Sequence, residues 1–171
     1  MSQKNDLLEK LATEDGLTGL LNRRKLEECL AEEYERFRRH GVPFSLILFD
    51  IDHFKSVNDS YGHQAGDEVL RQLSEIVARR LRATDVFGRW GGEEFMIVVR
   101  NGDLQEALTL AEQLRARVED YPFSIGRTVT ISLGVGEIRP GESVDQLISR
   151  VDDYLYQAKR NGRNRVGSER R

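Results

Sequence analysis

The sequence has a single cysteine, no apolar run near the 18 or so residues needed to span a bilayer, and no excess of basic charge. Cys29 alone cannot form an intrachain disulfide, so the fold must rest on its core. The opening MSQKNDLLEK contains no apolar stretch of signal-peptide length, so a cytoplasmic chain without direct membrane contact is expected. The 26 basic and 29 acidic residues, with a net charge of -3, argue against broad nucleic-acid binding by charge alone. The local basic clusters RRLR (Arg79 to Arg82) and RNGRNRVGSERR read as solvated faces. There is no GxxxxGK[ST] phosphate loop, no internal repeat and no low-complexity segment. At 171 residues, what remains is one domain with short tails.

Hydrophobic spacing gives the order of elements. Residues 3–14 place Leu7, Leu8 and Leu11 on one helical stripe, too short to be stable alone and read as the stub of a linker helix. An amphipathic helix is expected from about Asn22 to His40, with Gly41 and Pro43 as stops. PFSLILFDI is an almost unbroken apolar run, as in a buried central strand, and it ends in acid. GDEVLRQLSEIVARRLRA carries Val69, Leu70, Leu73, Ile76, Val77 and Leu81 at helical spacing. TDVFGRWGGEEFMIVVRN reads as a β-hairpin in which Gly91 and Gly92 supply the positive backbone angles of a type I′ or II′ turn. A helix over LQEALTLAEQLRARVED, one or two strands in YPFSIGRTVTISLGVGEI, and a last helix capped by Ser143 and stopped at Gly162 complete the chain. This order predicts an α/β fold: a mixed central sheet flanked by helices, with a ferredoxin-like βαββαβ core.

Acids gather where the strands end. Asp50 and Asp52 share a face if the first strand continues that far, and such residues serve either as turn caps or as ligands. Glu93 and Glu94 are neighbours on an extended strand and so point to opposite faces, leaving one of them for any given site. If the first strand lies beside the hairpin, Asp50 and Glu93 approach, and two unpaired carboxylates repel unless a cation joins them. Mg²⁺ suits that position, since it takes hard oxygen ligands from one or two carboxylates and substrate phosphates. Lys55, Lys159 and Arg163 are the basic candidates for phosphates; the last two share a face if the final helix persists, and also suit a helix C-terminus as plain charges. Asp67 has the ordinary reading of a helix N-cap, Arg82 and Asp85 that of a helix-end charge pair, and His63 reads as structural.

Five ordered blocks, DGLTGLLNRR, FDIDHFKSVNDSYGHQAGDEVL, GGEEF, ISLGVG and YQAKRNGRNRV, resemble the GGDEF-domain diguanylate cyclases over residues 15–167, leaving 1–14 as the linker stub and 168–171 as a tail. The resemblance implies a fold similar to the nucleotidyl cyclase and polymerase palm. It also implies condensation of two GTP into cyclic di-GMP with release of two pyrophosphates by a homodimer of domains. Two Mg²⁺ ions, or Mn²⁺ in their place, would be bound by Asp50, Glu93 and the carbonyl of Ile51, with Glu94 helping to deprotonate the ribose 3′-hydroxyl. Substrate contacts would come from Phe54, Lys55, Asn58, Asp67, Gly91, Gly92, Lys159 and Arg163. Asn58 and Asp67 would read guanine, the carboxylate accepting from N1–H and N2–H₂, a pattern adenine lacks. Arg82 and Asp85 match the RxxD motif that binds the cyclic product as an inhibitor, about 17 Å of strand from the catalytic turn at roughly 3.3 Å per residue. One departure is Gln113 where a second arginine is often found, with Arg115 and Arg117 nearby on other faces.

Overall fold

The computed structural model describes residues 3–169; residues 1, 2, 170 and 171, the outer ends of the expected stub and tail, lie outside the described residues. Eleven elements follow one another among them: α1 (Gln3–Thr13), α2 (Arg23–His40), β1 (Phe44–Ile51), α3 (Phe54–Tyr61), α4 (His63–Arg80), β2 (Val86–Gly91), β3 (Glu94–Arg100), α5 (Leu104–Asp120), β4 (Ile131–Glu137), α6 (Val144–Arg160) and β5 (Val166–Gly167). The sheet order is β2-β3-β1-β4-β5. The first four strands pair antiparallel in the βαββαβ arrangement, and the two-residue β5 adds a parallel edge beside β4.

Local chemistry sets the helix ends. Asn22 caps α2 by accepting from the Lys25 N–H at 3.0 Å, and Gly41 ends it in the left-handed conformation at φ 66°. Asp103 caps α5, and Ser143 and Gln146 form a reciprocal capping box on α6.

Strand alternation divides the core. Ile47, Phe49, Ile51, Phe95, Ile97, Val99, Ile131, Leu133 and Val135 pack with α4 and α5 on one face. Phe44, Leu46, Leu48, Met96 and Val98 pack with α2 and α6 on the other. Both faces of β1 are therefore covered, which explains its unbroken apolar run. α3, which the apolar pattern had not separated from the loop after β1, is an eight-residue helix. The stretch expected to hold one or two strands contains β4 alone. α1 buries no residue; Leu7, Leu8 and Leu11 stay exposed. No helix among the described residues is long and apolar enough to cross a membrane.

Candidate active site

β1 carries Asp50 into the gap between two neighbours, opposite Glu94 of β3 and opposite Ser132 of β4. Opposed residues project to the same face. The even positions of β1 face α2 and α6, so Asp50 and Glu94 both look toward α6. This corrects the expectation that Glu94 turns away from Asp50. β2 and β3 pair Gly91 with Glu94, so the two-residue turn is Gly92-Glu93, not Gly91-Gly92. Neither glycine has a left-handed backbone. A register shift between Arg89 and Gly91 bends the strand instead, as a bulge does. Glu93 is thus half-buried in the turn, its carbonyl accepting from the Ile51 N–H at 3.4 Å. Ile51 sends its side chain into the α4/α5 core and leaves its backbone at the strand end.

The carboxylates are poorly compensated. Burial pushes the Asp50 carboxyl up to about 6; the Lys159 ammonium opposes this, and Glu93 and Glu94 add to it. Lys159 donates to Oδ2 of Asp50, while the buried Oδ1 has no hydrogen-bond partner among the described residues. Burial lowers the Lys159 pKa, but its bond to Asp50 and the charges of Asp50, Glu94 and Glu93 leave it raised. Burial also raises Glu94, helped by the charge of Asp152. Asp52, by contrast, is fully satisfied. It accepts from Thr130 Oγ1 at 2.8 Å, Ser132 Oγ at 2.7 Å and the Asn164 N–H at 3.0 Å, fixing the end of β1 to β4 and to the segment after α6.

An orphaned buried carboxylate oxygen suits a hard cation. Among the described residues, however, no three His, Cys, Asp or Glu side chains converge on one point. Asp50, Glu93 and the Ile51 carbonyl could hold Mg²⁺ only with further oxygens from substrate phosphate or water.

The base-reading candidates come from α3 and α4. Phe54 opens α3 against the core, Lys55 is exposed beside it, and Asn58 lies against Gly66 of α4. Asp67 is not an N-cap: α4 begins four residues earlier at His63, with Gly62 in the cap position. It is a half-buried side chain one turn into the helix, next to Gly66, and among the described residues no side-chain hydrogen bond uses it. His63 is exposed and packs into neither core. Arg163 does not share a helical face with Lys159, because α6 stops at Arg160 and Arg163 adopts φ 63°, its N–H donating to the Ala158 carbonyl.

Arg82 and Asp85 form a turn beyond α4, not its end. The Arg82 N–H donates to Asp85 Oδ2 at 2.8 Å, and the guanidinium stands 3.5 Å from Oδ1. They line a cavity of about 300 Å³ with Arg80, Gln105, Glu106 and Thr109. Gln113 takes the guanidinium of Arg80, whereas Arg115 is turned to Glu112 and Asn164. Sequence reasoning missed Gly66, visible as a glycine inside a helical pattern, and the Arg23 guanidinium stacked 4.0 Å from the centre of the Trp90 ring.

An antiparallel βαββαβ sheet with acids at the end of its central strand and on the adjoining hairpin defines an α/β domain of the palm-like nucleotidyl cyclase class. Comparison with known proteins narrows the class. Residues 12–165 match the family model described as diguanylate cyclase, GGDEF domain. The chain is 43% identical over 159 residues to diguanylate cyclase DgcM of Escherichia coli K12, covering 93% of this chain and 39% of that protein. It is 43% identical over 163 residues to response regulator PleD of Caulobacter vibrioides, covering 92% and 36%. The chain therefore spans well under half the length of these relatives. The crystal structure of the coiled coil and GGDEF domain of DgcB from Caulobacter crescentus, in complex with c-di-GMP, superposes with a TM-score of 0.92 at 32% identity, covering 98% of this chain and 91% of that one. The chain belongs to the GGDEF-domain diguanylate cyclase family.

Proposed function

We propose that this chain condenses two GTP into cyclic di-GMP in the cytoplasm, residues 15–167 forming the catalytic domain and 1–14 a linker stub. The observation that carries this reading is the pairing of Asp50, with its orphaned buried oxygen, and the Glu93–Glu94 hairpin beside Lys159. Asn58 and Asp67 hold guanine, and Asp67 has a carboxylate free of any capping duty. Phe54 and Lys55 flank the nucleotide. Gly91 and Gly92 have nothing within 4 Å of an added Cβ, so the triphosphate can lie against their backbone. Lys159 and Arg163 offset phosphate charge.

Two Mg²⁺ ions held by Asp50, Glu93 and the Ile51 carbonyl would stabilise phosphate charge and lower the pKa of the 3′-hydroxyl. Glu94, its pKa raised by burial, accepts the proton of that hydroxyl. The 3′-oxygen bonds to the α-phosphorus of the other GTP, the bond to the bridging oxygen breaks, and pyrophosphate leaves. The step occurs twice. One domain holds one GTP, so two domains must meet face to face. The product then binds at Arg82 and Asp85, where the buried Asp85 Oδ1 has the Arg82 guanidinium 3.5 Å away but no hydrogen-bond partner among the described residues, and where arginine can bond guanine O6 and N7.

The test is incubation with GTP, ATP and Mg²⁺ followed by product analysis. Cyclic di-GMP from GTP alone is expected, and Glu93→Ala should abolish it while leaving the fold intact. A different product, or synthesis by Glu93→Ala above a tenth of wild type, would refute the reading.

A further inference from the structure

Arg89 has no part in the chemistry above, yet its side chain bonds the catalytic turn. Its Nε donates to the Gly92 carbonyl at 2.8 Å, and its Nη1 lies 3.2 Å from both oxygens of Asp15. The pair is partly buried, at 19% and 21% exposure. Asp15 is itself fixed: its Oδ2 accepts from the Thr18 N–H at 2.9 Å and from the Thr18 hydroxyl at 2.8 Å. The two segments are pressed together. The Arg89 N–H donates to the Leu21 carbonyl at 2.9 Å, and a Cβ on Gly88 would stand 2.6 Å from Leu26 and 2.7 Å from that carbonyl.

Beyond the Gly91–Glu94 pairing that closes it and the long bond from the Ile51 N–H to the Glu93 carbonyl at 3.4 Å, the turn has little else to hold it. Gly91 and Gly92 pack against nothing within 4 Å of an added Cβ, and glycine has the widest backbone freedom. Among the described residues, Arg89 makes the one side-chain hydrogen bond to residues 91–94. In a planar trans peptide the carbonyl of one residue and the N–H of the next point in opposite directions. Holding the Gly92 carbonyl therefore orients the whole Gly92–Glu93 peptide, and with it the direction in which the Glu93 side chain leaves the chain.

We propose that Asp15 and Arg89 are positioning residues: Asp15 aims the guanidinium, and Arg89 sets the Gly92–Glu93 peptide so that Glu93 meets the metal and the triphosphate. The catalytic part of this inference rests on the cyclase reading; the geometric part does not. Arg89→Lys keeps the cation but cannot reach Asp15 and Gly92 with a rigid fork. It should raise the Mg²⁺ concentration for half-maximal rate at least fivefold and lower kcat at least tenfold, with KM for GTP within twofold. Asp15→Asn should act in the same direction, and the double variant should be no worse than Arg89→Lys alone. In ¹⁵N-labelled protein without substrate, both variants should shift or broaden the Gly92 and Glu93 amide resonances. A lower melting temperature with unchanged Mg²⁺ requirement and kcat in an active enzyme means a purely structural pair and overturns the proposal. If wild type makes no product, the cyclase reading falls, and unchanged Gly92 and Glu93 resonances in both variants overturn the positioning role on their own. Should Arg89→Lys fail to fold, Asp15→Asn carries both readouts.

Discussion

Gly66→Ala should separate the proposed base recognition from stability. A Cβ at this position would lie 1.8 Å from Asn58 Oδ1 and 3.3 Å from the Phe54 ring. The first contact is impossible, and the amide is the part that can swing away. The helix itself should welcome the change, since alanine is favoured over glycine by about 1 kcal/mol in a helix interior. That gain and the cost of moving Asn58 roughly cancel, so the melting temperature should stay within about 4 °C for a domain of this size. Binding of GTP should not survive so well. Losing one or two neutral hydrogen bonds, at about 1 to 1.5 kcal/mol each, weakens GTP about five- to 150-fold. Calorimetric titration of GTP with Mg²⁺, beside thermal melts, reads both quantities. A folded Gly66→Ala protein whose GTP affinity is within twofold of wild type would remove Asn58 from base reading.

Three further outcomes follow from the site. Asp50 has a folded pKa of about 6 against 3.8, so its contribution to stability is present below about 4 and lost as pH rises through 6. Asp50→Asn should therefore raise the stability of the metal-free protein at pH 7.5, by at most about 3 kcal/mol, and by about half as much at pH 5; denaturant melts showing an equal gain at both pH values would refute the shift. Asp67→Ser should weaken discrimination against ATP, because a hydroxyl cannot accept the paired guanine bonds; unchanged GTP preference in competition would exclude Asp67 as the reader. Arg82→Ala should relieve inhibition by added cyclic di-GMP while keeping synthesis, and a wild-type protein that neither binds nor slows with that product would leave the motif as a turn.

The fold was legible wherever the chain carried periodicity and chemical stops together. Asn22, Gly41, Ser143 and the apolar stripes set α2 and α6 nearly to the residue, and the apolar run of β1 announced a strand covered on both faces. Short elements without their own pattern were lost. α3 has eight residues and β5 two, and both are fixed by neighbours: α3 by packing of Phe54 and Asn58 on α4, β5 by its pairing with β4. The start of α4 was placed too late because Gly62 offers no side-chain cap. That slip alone gave Asp67 a capping role it does not have.

The acids were found by type and misplaced by geometry, for one reason. Alternation assigns faces only along continuous extended backbone, and it was applied from Glu94 back through Glu93. The hairpin tip breaks that rule: Gly92 and Glu93 are the turn, and the shift between Arg89 and Gly91 moves one strand by a residue against the other. Glu94, paired with Asp50, therefore takes the face assigned to its neighbour, and Glu93 takes a direction that no strand face dictates. Such a residue must be aimed by something outside the strand. Periodicity cannot name that partner, since Asp15 lies 74 positions from Arg89 in the chain and meets it only after the sheet is assembled. An acid on a glycine turn thus depends on tertiary contacts for its direction, and its orientation should be the first part of the proposed site to fail when those contacts are cut.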